Sequence, residues 1–124
     1  MSINLINSLK LLITKNTLLR DLQINECNKI KVNGVSLEFG AIDRKNKTFS
    51  NFIRGQSKFE YSNIKPNKKL NIFYSDLTKK LKIKSNKYNN VLLFNVLEHL
   101  PEYGIALSQI NRILKKRGKI IGST

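Results

Sequence analysis

The chain has 124 residues, enough for one domain with a real core but small for a complete doubly wound enzyme. Its 23 Lys and Arg against 8 Asp and Glu give a formal charge of +15, a field that attracts RNA, DNA or an anionic surface. One cysteine, Cys27, and one histidine, His99, exclude an internal disulfide framework and a cysteine-based metal cluster, and no metal site is expected.

The basic excess is mostly Lys, whereas Arg supplies the planar fork of specific phosphate and base contacts. Lys, Asn and Ile are abundant together, the signature of an A+T-rich coding sequence with no binding function implied. A basic nucleic-acid-binding module therefore stays open as an alternative rather than leading. Apolar residues at the start are broken by Asn and Lys, with no small-residue cleavage site. Neither a signal peptide nor a membrane span is expected, and the cytoplasm is the default location.

In chain order, Leu5, Leu9 and Leu12 recur at helical spacing, and Leu18, Leu19 and Leu22 repeat the pattern. The segment reads either as two helices broken at Asn16-Thr17, with Thr17 as N-cap of the second, or as one bent helix. The expected division is an N-terminal helical segment over residues 1–34 packing on a core over 35–124, the whole forming one domain. Asn33-Gly34 is a turn signal. Val35 to Gly40 then alternates as a short strand ending in glycine, and Ala41 to Lys47 is a polar loop.

Thr48 is placed to cap a short helix with Phe49, Phe52 and Ile53 inside and Gly55 at its end. Phe59 to Ile64 and Leu70 to Tyr74 read as the second and third strands, the former stopped by Lys65-Pro66-Asn67. Lys79 to Lys87 has only Leu81 and Ile83 to bury, so the connection that follows the third strand is poor in helix signals. Val91 to Val96, interrupted only by Asn95, is too uniformly apolar for a surface strand and reads as one buried on both faces of a parallel sheet.

After Pro101, the residues Tyr103, Ala106, Leu107, Ile110, Ile113 and Leu114 trace one helix face. Lys115, Lys116 and Arg117 suit its negative end, and Gly118 suits the residue just past it. Lys119 to Thr124 opens a fifth strand. The alternation predicts an α/β Rossmann-like three-layer sandwich with a mostly parallel sheet. Ligands of such sheets sit at the carboxyl ends of the strands, which brings forward Gly40 with the acidic side chain beside it after the first strand, and the two ionisable groups of the Leu97-Glu98-His99-Leu100 tip after the fourth. Neither G-x-G-x-x-G nor a Walker loop is present.

Taken together, Glu38-x-Gly40, Asp76, Leu97-Glu98-His99-Leu100 and Arg112-Ile113-Leu114-Lys115-Lys116-Arg117-Gly118 resemble the class I S-adenosylmethionine-dependent methyltransferases, type-11 group. The resemblance implies S-adenosylmethionine as cofactor and methyl transfer to an unidentified acceptor, with a small molecule or a glycan as the candidate partner. It implies that Glu38, Gly40 and Ala41 face the methionine part, Asn63 the ribose, and Asp76 with Leu77 the adenine. Asn95 then lines the pocket below the sulfonium, with Glu98 and His99 at its mouth. His99 is the candidate general base, beside the plainer reading of a hydrogen-bonded loop residue.

Ile42 and Arg44 stand where the family's first loop has further glycines, and Asn63 stands where it usually has a carboxylate. The family sheet also continues beyond a fifth strand, so the fold is read as incomplete, with Ile120-Ile121 on an edge prone to self-association. These departures motivate the alternative of a non-catalytic or decayed methyltransferase-like protein.

Overall fold

The computed structural model describes residues 18–41 and 48–123. The expected helix before Thr17, the Thr17 cap and the loop carrying Ile42 and Arg44 lie outside the described residues. Five strands, β1 (Gly34–Phe39), β2 (Ser57–Asn63), β3 (Ile72–Tyr74), β4 (Tyr88–Phe94) and β5 (Leu114–Ser123), form one sheet in the order β3-β2-β1-β4-β5. Every pairing is parallel. The chain steps outward from β1 to β3 and then returns to the other side of β1 for β4. That reversal creates a crevice between the carboxyl ends of β1 and β4.

Two layers cover the sheet. Helix α1 (Leu18–Cys27) and a 3₁₀ turn (Phe49–Phe52) lie on one face, where Cys27, Phe49 and Ile53 pack with Leu92 and Phe94. Helix α2 (Tyr103–Ile113) lies on the other, where Ala106, Ile110 and Ile113 meet Leu37, Val91 and Leu93. Alternate residues of β4 thus serve opposite layers, and Val91, Leu92 and Leu93 are fully buried. The fold is α/β and Rossmann-like, as the apolar run from Val91 predicts, because only a strand covered on both faces can bury such a run.

The connections that frame the site hold little helix among the described residues. Between β1 and β2 the expected helix is a single 3₁₀ turn, and Thr48 makes no side-chain cap bond. Glu38 from β1 takes that role, its carboxylate accepting from the Phe49 N–H at 3.1 Å and the Ser50 N–H at 3.2 Å. The turn exposes amide donors that need partners, and a buried carboxylate supplies both.

Between β3 and β4 no helix forms, and the chain runs through turns at Leu77-Thr78 and Ser85-Asn86. Its carbonyls are held by α2: the Arg112 guanidinium donates to Ile83 O at 2.7 Å and Leu81 O at 3.1 Å, and Gln109 receives the Leu81 N–H and donates to Lys79 O. Side chains from a neighbouring helix thereby satisfy backbone groups that a local helix would otherwise satisfy.

Helix α2 ends at Ile113, just before the Lys115-Lys116-Arg117-Gly118 run, correcting the expected end at Gly118. Leu114 already pairs with Tyr88, and the next pairing is Asn90 with Lys119. One β4 residue, Asn89, therefore faces the whole basic run, which bulges out with Arg117 at φ 66°. Leu114 is drawn into the core as the first residue of the strand rather than the last of the helix.

Candidate functional site

The carboxyl ends of four strands border one cleft of about 290 Å³. Phe39 and Gly40 come from β1, Asn63 and Ile64 from β2, Ser75 to Thr78 follow β3, and Asn95, Val96, His99 and Leu100 follow β4. Gly40 has φ 71°, and a Cβ there would lie 2.9 Å from Val96 Cγ2. Only glycine both adopts that turn and leaves room for the β4 tip.

Asp76 stands at the cleft with its carboxylate engaged locally: Oδ1 accepts from the Thr78 N–H at 2.9 Å and the Thr78 hydroxyl at 2.6 Å. The Thr78 side chain, then its backbone N–H, holds the Asp76 carboxyl below its ordinary range. Asp76 Oδ2 is 3.8 Å from the Lys79 ammonium. Leu77 is buried and forms part of the apolar wall. Thr78, two residues after Asp76, is a partner that an aspartate-turn signal in the sequence could have revealed.

Asn63 binds its own fold: Nδ2 donates to Ala41 O at 2.7 Å, and Oδ1 accepts from the Lys65 N–H at 3.0 Å. Asn95, at φ 55°, lines the cleft while Oδ1 accepts from Gln23 of α1 at 2.7 Å. His99 is an exposed residue on the rim.

Three further residues named from the sequence are not among the lining residues. Glu38 is 2 % exposed and bound to the 3₁₀ turn, and burial pushes its carboxyl above the ordinary value despite the bonds from Ser50 and Phe49. Ala41 is buried and joined to Ser62 O through its N–H. Glu98 is exposed, in the 3₁₀ turn Leu97–His99. Gly40, Asn63, Asp76, Leu77, Asn95 and His99 are thus brought together, and Glu38, Ala41 and Glu98 stand outside that lining.

The sequence reading missed Ser75 and Gln23. Ser75 borders the cleft with a buried hydroxyl that has no partner among the described residues. A buried hydroxyl in that state is a place for a ligand or water to bond. Gln23 carried no sequence signal, since its relation to Asn95 spans 72 residues. Apolar Ile64, Leu77, Val96 and Leu100 beside Asn63, Ser75, Asp76 and Asn95 suit a flat, partly polar ligand of nucleoside type. Among the described residues no three His, Cys, Asp or Glu side chains are grouped to hold a metal ion, and no helix is long and apolar enough to cross a membrane.

Residues 54–122 match a family model described as a methyltransferase domain, a span running from the end of the β1–β2 connection almost to the end of β5. No curated protein and no solved structure matches the chain at a significant level.

Proposed function

The chain belongs to the type-11 methyltransferase-domain family, whose chemistry is methyl transfer, and on that premise we propose that its cleft binds S-adenosylmethionine and serves methyl transfer to a small-molecule or glycan acceptor. The observation that carries the reading is the convergence of Gly40, Asn63, Asp76, Leu77 and Asn95 on one cleft at the switch point of a parallel sheet. When bound, the cofactor supplies an electrophilic methyl group on a sulfonium sulfur. Leu77 and Ile64 cover the adenine, and Asp76 accepts from its edge or from the ribose. Gly40 lets the backbone approach the cofactor, and the buried Ser75 hydroxyl gains a partner. His99 on the rim holds a proton of the acceptor when the acceptor needs activation. Orientation is the larger contribution, because an electrophilic methyl group needs chiefly proximity and alignment.

Titration calorimetry with S-adenosylmethionine and S-adenosylhomocysteine tests the reading: saturable heat is expected, and its absence at millimolar ligand overturns it. Asp76→Ala should weaken binding on the order of tenfold, the cost of one lost polar contact in a partly closed site. An unchanged affinity would mean that the adenine lies elsewhere.

A second reading, that the protein binds the cofactor without turnover, is favoured by the engagement of Glu38 and Asn63 with their own backbone. Both residues are thereby withdrawn from a full grip on the ligand. Methyl transfer from labelled cofactor to any member of an acceptor panel would sink it.

A nucleic-acid partner has its own observation at the opposite, amino end of the sheet. There Lys31, Arg117 and Lys119 surround a pocket of about 200 Å³ with Asn33, Asn89 and Asn90 and no acidic residue. RNA affinity that falls steeply with salt, and less steeply after Arg117→Gln, is the expected signature. Equal salt dependence in both proteins would remove this pocket from consideration.

A further inference from the structure

Helix α1 lies outside the cleft, yet one of its side chains is hydrogen-bonded to a residue within it. Gln23 Nε2 donates to Asn95 Oδ1 at 2.7 Å and to Ser123 Oγ at 2.8 Å, using both amide hydrogens. In return Asn95 Nδ2 donates to Gln23 Oε1 at 3.4 Å, and the Ser123 hydroxyl reaches Asn95 Oδ1 at 3.4 Å. The Asn95 N–H donates to Ser123 O at 3.1 Å. These bonds join α1, the tip of β4 and the end of β5 across separations of 72 and 100 residues.

Counting donors and acceptors shows what remains for a ligand. Asn95 Oδ1 is occupied by Gln23 and Ser123, and one Nδ2 hydrogen goes to Gln23. The second Nδ2 hydrogen has no partner among the described residues, so the free function of this amide is a donor. The two amides are coupled: turning Asn95 alone would set its NH₂ against the NH₂ of Gln23.

We infer that Gln23 is a positioning residue that fixes the amide of Asn95 with its N–H free for an acceptor atom of the ligand in the cleft. The inference rests on the cleft being the cofactor site. Replacing Gln23 by Glu leaves size and reach unchanged but removes both donors. Asn95 must then turn Nδ2 toward the carboxylate and offer its oxygen to the cleft. The free function changes from donor to acceptor without loss of packing. Gln23→Met keeps the length and removes the coupling altogether.

The test is calorimetry with S-adenosylhomocysteine on the full chain, its Gln23→Glu and Gln23→Met variants, and each of these in an Asn95→Ala background. Gln23→Glu should weaken binding on the order of tenfold, the effect of facing an acceptor with an acceptor, and Gln23→Met by less. Both effects should vanish once Asn95 is Ala, the non-additivity expected of directly coupled residues. Equal affinity of the wild type and Gln23→Glu, or additive losses, would overturn the inference.

Should the wild type bind no S-adenosylhomocysteine, the cofactor reading fails, and the side-chain ¹⁵N–H signals of Asn95 in the free protein decide the matter instead. They should move in both Gln23 variants. Signals unchanged by either variant would mean that Gln23 does not hold the amide.

Discussion

The two halves of the sheet are built by different means. On one side of the switch point, β4, α2 and β5 form a full strand-helix-strand unit, with Ala106, Ile110 and Ile113 completely buried against β4. On the other, β1, β2 and β3 are just as parallel, but among the described residues of their connections the helical elements are 3₁₀ turns at Phe49–Phe52 and Lys68–Leu70. Parallel pairing needs a crossover, and the structure meets that need in one half with an apolar helix face. In the other, single polar side chains join the packing of Phe49 and Ile53: Glu38 under the first turn, and Asn67, whose Oδ1 receives the Lys69 and Leu70 N–H groups, under the second. The first half should therefore respond to lost volume and the second to lost hydrogen bonds or altered charge.

The sharpest break of that contrast is Ile110→Ala, which should cost about 2–5 kcal/mol in urea unfolding, because a fully buried aliphatic leaves a cavity. Phe52→Ala in the other half should cost roughly 1–2 kcal/mol, since Phe52 is only half-buried. Equal losses would mean that the 3₁₀ turn carries as much of the core as the helix does.

Arg112→Ala comes next at about 1.5–3 kcal/mol, removing charge-assisted bonds to Leu81 O and Ile83 O. Its mark should be local, with amide exchange accelerating between residues 79 and 87 before it does so in β4. Uniform acceleration would show that the β3–β4 connection unfolds only with the whole domain.

The pH dependence has both signs within the β1-β2-β3 half. Burial raises the Glu38 carboxyl above its ordinary value of 4.5, against the opposing bonds from Ser50 and Phe49, so the folded state holds this proton more tightly than the unfolded one. Stability from this group is therefore present below pH 4.5 and declines as pH rises through its folded pKa. Asp76, held down by Thr78, acts oppositely and loses its contribution as pH falls through its folded pKa, below 3.8. Glu60 also acts oppositely: burial alone would raise it, but bonds from Lys87 and Tyr88 outweigh that and lower it. Glu38→Gln should flatten the decline above pH 4.5 and leave the acid limb in place. A decline that persists in Glu38→Gln would assign it to another group.

The smallest effect is expected at the edge. Ile120→Lys lies in the helix-linked half, but Ile120 is 46 % exposed, so its loss should change stability by less than about 0.5 kcal/mol. Sedimentation of the two proteins would show whether β5 promotes self-association, in which case only the wild type shifts to larger species with concentration.

Much of the fold was legible because it depends on patterns that only one environment tolerates. The run from Val91 has no polar face and so requires cover on both sides, and the spacing of Ala106, Ile110 and Ile113 allows only one buried helix face. The places of Gly40 and Asp76 beside the cleft were legible because each directly follows a strand that the apolar pattern marks. The end of α2 was misread at Gly118. Helix-end chemistry is local and fits Lys115 to Gly118 well, whereas the pairing of Leu114 with Tyr88 is a contact between distant segments that ends the helix sooner.

By itself, the sequence determined the class of fold, the identity of the buried strand and its helix, and which residues follow the strands at the end where the cleft opens, since each follows from short-range periodicity and turn chemistry. Tertiary structure alone decided that Glu38 supports a turn instead of facing the cleft, that Asn63 holds the carbonyl of Ala41, and that Gln23 meets Asn95. Each of these is a hydrogen bond between segments far apart in the chain or on different strands. A polar side chain has several possible partners of similar strength, and only the packed fold selects one.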